Sequence, residues 1–189
     1  MWCKATRSMG PRNGPSKRTT STETIGRAGL SLWRPRELAF AVGRHLTFYR
    51  REYFMSVLAA SMKALEELFL AALSIGNSGL PMVEDVRRRV EPIAGAIHPM
   101  LDAAAEERLR ACFLRFVEKG GKADLWSWAT ATDQTACRAG LLLASDLASA
   151  KTMLDLEEPA RAEERMDDLL RYSVGEEYAA LRQRIGVAA

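Results

Sequence analysis

From about residue 35 onward the sequence is a series of helix-forming runs, several of them closed by glycine or proline. Gly76-Asn77-Ser78-Gly79, Pro81, Gly120-Gly121 and Pro159 divide the chain. Glycine has no Cβ to restrict φ, and proline has no amide hydrogen, so both end helices. Between these breaks, apolar residues recur at spacings of three and four, the period of one helical face. The alternation that marks strands is almost absent. Alanine and leucine are abundant, which adds intrinsic helix preference to the pattern. The sequence therefore predicts an all-α fold, a compact multi-helix domain with short connections.

The pattern places a first helix from Pro35 to about Tyr53, with Leu38, Ala41, Val42, Leu46, Tyr49 and Tyr53 as its inner stripe. Proline suits the first turn of a helix and Glu37 favours its positive end. A second helix is expected over 55–75, burying Val57, Leu58, Met62, Leu65, Leu68, Phe69 and Leu73 and exposing Lys63, Glu66 and Glu67. A third begins near Met82 and continues to about Ile97, with Pro92 kinking or breaking it. The fourth, over 102–119, has Asp102 as N-cap and Leu109, Cys112, Phe113 and Phe116 inside. Four more helices are expected over 131–144, 146–156, 160–172 and 175–185, the first of them preceded by a short segment around Trp126 and Trp128. Those two tryptophans are either an exposed contact for a partner or part of the core.

Charge divides the chain. Residues 1–31 hold six basic side chains against Glu23 alone, a net of +5, which leaves −2 for the rest of a chain of net +3. Rich in Gly, Pro, Ser and Thr, this stretch reads as a disordered basic leader, with one helical domain over 32–189. A folded part of slight negative charge is a poor partner for nucleic acid. Cys3, Cys112 and Cys137 have no paired spacing, which fits a reducing cytoplasm and offers neither a disulfide framework nor a zinc ribbon. The most apolar stretch, Phe54 to Ile75, contains Lys63, Glu66 and Glu67 and so is not expected to insert in a membrane. No repeat of about thirty-four residues is visible.

One segment of the first helix has the outline of a metal site. A zinc-peptidase helix needs His-Glu-x-x-His, since residues four apart share a face and hold one metal while the Glu activates water. The equivalent five residues here are Arg44, His45, Leu46, Thr47 and Phe48. Neither a protonated guanidinium nor a phenyl ring ligates zinc. Downstream, Thr132-Asp133-Gln134-Thr135-Ala136-Cys137-Arg138-Ala139-Gly140 resembles the helix that supplies the third ligand in HtpX-like zinc metallopeptidases. The resemblance puts Arg44 at the first His, His45 at the catalytic Glu, Phe48 at the second His, Asp133 at the third ligand, and Cys137 where the family has Asp. From about Pro35 to Val187 the chain is also similar to the C-terminal domain of large bacterial tetratricopeptide-repeat proteins, a match that includes the closing Tyr172-Ser173-Val174-Gly175-Glu176-Glu177-Tyr178.

The resemblance implies a degenerate, non-catalytic peptidase-like domain with no metal and no cofactor, detached from its repeats and acting through an unidentified protein partner. The alternative it leaves is a repurposed metal-dependent hydrolase. At the vacated site, Arg44 and Asp133 either pair across the two helices or stay apart, with Arg44 in solvent and Asp133 capping its helix. Cys137 reads as a buried structural thiol, because the neighbouring carboxylate would raise its pKa and no histidine is placed to act as its base. His45 and His98 share no spacing that would make a new metal site.

Overall fold

The computed structural model describes residues 33–187, so the leader expected over 1–31 lies outside the described residues. The described chain is all helical: α1 (Pro35–Thr47), α2 (Met55–Leu58), α3 (Met62–Gly76), α4 (Glu84–Ile97), a 3-10 turn (His98–Met100), α5 (Ala103–Glu118), α6 (Leu125–Ala144), α7 (Leu147–Glu157), α8 (Pro159–Ser173) and α9 (Glu176–Arg184). Four of them begin at side-chain caps. Ser61, Asp102, Asp124 and Asp146 accept hydrogen bonds from the amides of Ala64, Ala105, Ser127 and Ser149. Each cap satisfies an amide that has no partner within its helix.

Local chemistry moves three boundaries. The first helix stops at Thr47, whose hydroxyl donates to the carbonyl of Gly43, and tighter turns run on to Phe54. The second expected helix is two, because Ala59 turns to extended backbone and Ser61 starts a new cap. Conversely, the Trp126–Trp128 segment belongs to α6, which Asp124 caps through both the amide and the hydroxyl of Ser127. Pro92 does not break α4, which continues to Ile97.

The helices form two packed groups. In one, α3 lies against α4 and α5. Phe69 meets Phe116 edge to face at 5.7 Å, and Arg89 donates to Glu67 at 2.8 Å. In the other, α1 crosses α6, with α7, α8 and α9 closing over them around Phe40, Leu141, Leu154, Leu169 and Tyr178. The α1–α6 crossing is a backbone contact. A Cβ on Gly43 would lie 2.8 Å from the carbonyl oxygen of Ala139, and one on Gly140 would lie 2.7 Å from that of Phe40. Glycine at both positions lets the two helices meet without intervening side chains.

This crossing turns α1 away from its expected stripe. The buried residues are Phe40, Gly43, Arg44 and Thr47, while Val42, Leu46 and Tyr49 are exposed, the last two by 57% and 61%. Val57 and Leu58 are exposed as well, as is Cys112 on α5. The expected inner positions Val42, Leu46, Tyr49, Val57, Leu58 and Cys112 are corrected accordingly, while Leu38, Ala41 and Tyr53 are half-buried, with Ala41 packed against the core. The physical reason on α1 is contact distance: the glycine face allows close approach to α6, and the bulkier face does not.

Candidate functional site

The α1–α6 crossing places Arg44 opposite Asp133. Arg44 Nη2 donates to Asp133 Oδ1 at 2.6 Å, and the Arg44 residue is only 6% exposed. Of the two arrangements open in the sequence, the cross-helix pair is the one found. Asp133 sits mid-helix on α6 and caps nothing.

Two further arginines reach the same carboxylate from α8. Arg165, 4% exposed, donates from Nε to Oδ2 at 2.7 Å and from Nη2 to Oδ1 at 3.2 Å. Arg161 Nη2 lies 3.4 Å from Oδ2. The α7–α8 joint then adds two carboxylates. Glu158 accepts from Arg165 Nη2 at 3.0 Å, and Glu157 Oε2 lies 2.6 Å from Arg44 Nη1. The Glu157 contact is an ion pair by distance, but the N–H is not aligned for a hydrogen bond, so it contributes charge without direction.

The electrostatics follow from this geometry. Burial pushes the Asp133 carboxyl up, but Arg44, Arg165 and Arg161 together outweigh it and hold the group below the usual carboxylate range. Arg165 is pulled down by burial and raised by Asp133, with a net upward shift. Cys137, one helical turn from Asp133, is pushed up to about 11, chiefly by burial; Arg44 lowers it and Asp133 raises it. At that value the thiol is protonated at neutral pH and inert as a nucleophile.

Of the five positions singled out in the sequence, the structure brings together Arg44, Asp133 and Cys137. His45 is engaged elsewhere, with Nε2 3.2 Å from the Tyr49 hydroxyl and the two rings edge to face. Phe48 is half-buried at the C-cap of α1. These residues do not fit a catalytic zinc. A guanidinium and a phenyl ring stand at the His positions, and the one carboxylate at a ligand position already accepts from two guanidiniums. Among the described residues, no three of His, Cys, Asp and Glu are grouped to hold a metal ion.

Sequence reasoning missed Arg161, Arg165, Glu157 and Glu158. A signal for Arg165 was present, because Ala162, Arg165 and Leu169 follow the three- and four-residue spacing of the buried face of α8. An arginine in an apolar register needs a buried anion. A second ion pair joins the same two helices: Arg138 forms a two-pronged contact with Asp168 at 2.9 and 2.6 Å and lies over the ring of Tyr172. No family model, curated protein or solved structure matches the chain.

Proposed function

We propose that this chain is a non-catalytic helical domain, derived from a zinc metallopeptidase, that acts as a structural or protein-interaction module in the cytoplasm. In this reading it is of the kind that follows tetratricopeptide repeats in large bacterial proteins. The observation that carries it is the Arg44–Asp133 contact. A metal bound at such a site cross-links two helices, and here a charge-assisted hydrogen bond joins them between the positions that the resemblance assigns to the first and third ligands. Arg165 and Arg161 extend the link to α8.

The surface supports an interaction role. Val42, Leu46, Tyr49, Phe54, Met55, Val57 and Leu58 are all exposed within one short stretch of α1, α2 and the turns between them. Apolar side chains concentrated in this way mark surfaces that partners cover. Trp126, 64% exposed at the start of α6, adds a separate aromatic contact. No helix of the described residues is long and apolar enough to cross a membrane.

Elemental analysis of the purified protein combined with a casein-cleavage assay tests the reading. The expected result is no stoichiometric zinc, no cleavage, and a melting temperature unchanged by zinc or chelator. Stoichiometric zinc with chelator-sensitive cleavage would establish the hydrolase alternative instead.

A further inference from the structure

The charges around Asp133 are unevenly anchored. Arg44, Arg161 and Arg165 bring three positive charges from α1 and α8, and Asp133 returns one from α6, leaving +2. Glu157 and Glu158 supply the balance, but from a different kind of position. Glu157 ends α7, Glu158 is the single non-helical residue before Pro159, and their side chains are 36% and 40% exposed. Glu158 accepts from Arg165 Nη2 at 3.0 Å but lies 3.9 Å from Arg161 Nη1, and the Glu157–Arg44 Nη1 approach is not aligned as a hydrogen bond. Arg165 Nη1 is buried with no hydrogen bond at all. A guanidinium offers five donors, so the three arginines hold more donor capacity than these carboxylates use.

We propose that these three arginines form a phosphate-binding site that Glu157 and Glu158 hold closed from within. A phosphate monoester carries about −2 and three acceptor oxygens, so one such group matches the combined charge of the two glutamates and offers the arginines better-directed acceptors. Asp133 stays behind the site and keeps the guanidiniums in place. Both glutamates already reach solvent, so they can swing outward without unpacking a helix. Glu164, 3.7 Å from Arg161 Nε, lies at the outer edge and adds to the competition. The site stands on the geometry of the cluster and does not depend on peptidase ancestry.

Thermal melts of the full chain in inorganic phosphate, at about pH 8 where the dianion dominates and at constant ionic strength, test the proposal. Wild type should show a saturable rise in melting temperature. The E157Q/E158Q variant should saturate at a roughly tenfold lower phosphate concentration, because it lacks the internal competitor. R161Q should weaken phosphate binding in either background, and acetate should have no effect. Phosphorus NMR titration of wild type gives the same reading should the double variant fail to fold. No saturable effect in wild type and E157Q/E158Q, or an effect indifferent to R161Q, overturns the site. A sugar phosphate compared with a phosphoserine peptide then distinguishes a small-molecule source of the group from a protein-borne one.

Discussion

Removing the Asp133 carboxylate should destabilise the fold more than removing any one arginine that contacts it. Asp133→Ala strands Arg44 and Arg165, which are 6% and 4% exposed. Breaking a buried ion pair from one side costs roughly 3–5 kcal/mol, against roughly 0–1 kcal/mol for an exposed pair. Arg44 keeps Glu157 and Arg165 keeps Glu158, so the lower end applies, about 3 kcal/mol. For a domain of this size that lowers the melting temperature by roughly 6–12 °C. Arg44→Met keeps the apolar stem and leaves Asp133 with both contacts from Arg165, so it should cost less, about 1.5 kcal/mol for one charged hydrogen bond. Urea denaturation of the three proteins measures the order. Acid provides a second reading. The arginines depress the Asp133 pKa, so its contribution is fully present above the unfolded value of about 4 and is lost as pH falls through the lower folded value. The gap between wild type and Asp133→Ala should therefore narrow as pH falls below about 4. A gap below about 1 kcal/mol at neutral pH, or one that stays constant into acid, would refute the buried-cluster account.

Other outcomes follow from the crossing, the helix surface and the thiols. Gly140→Ala drives a methyl to within 2.7 Å of the Phe40 carbonyl oxygen, and such overpacking should cost roughly 1–3 kcal/mol in denaturant. Gly95→Ala meets nothing within 4 Å on an exposed helical position and should instead stabilise by roughly 0.4–1 kcal/mol; equal effects from the two substitutions would remove the close-approach explanation. In a Cys3→Ser background, iodoacetamide at about pH 8 should label Cys112 and spare Cys137, whose thiolate fraction there is on the order of one in a thousand. Equal labelling rates in the native protein would show that Cys137 is not shielded as described.

The helical architecture was legible because it rests on local signals. Asp102 as a cap, Gly120-Gly121 as a stop and Pro159 as a boundary act within one or two turns, and each is found in place; Gly120 and Gly121 adopt φ of 92° and 64°, which glycine takes most readily. Where the reading failed, two local signals competed. Over residues 55–75 the apolar spacing runs on without a glycine or proline, yet the Ser61 cap starts a new helix within it. The segment around Trp126 is expected ahead of a helix over 131–144, yet the Asp124 cap starts α6 before it.

The phase of α1 was a different problem, and it bears on the site. Two faces of that helix were available. One carries Val42, Leu46 and Tyr49, and by hydrophobicity it belongs inside. The other carries Phe40, Gly43, Arg44 and Thr47, and it is the one that packs. Burying a glycine instead of a leucine gives up apolar area but shortens the distance to α6, and that distance is what lets Arg44 reach Asp133. A pattern of apolar positions reports how much surface a face offers and says nothing of how closely a neighbour can approach. The resemblance named Arg44 and Asp133 because it compares positions across two helices, whereas Arg161, Glu157 and Glu158 lie outside both segments it compares. The two results support each other. A helix that turns a charged, glycine-bearing face inward leaves its more apolar face outside, and that exposed face is the surface an interaction module would offer to a partner.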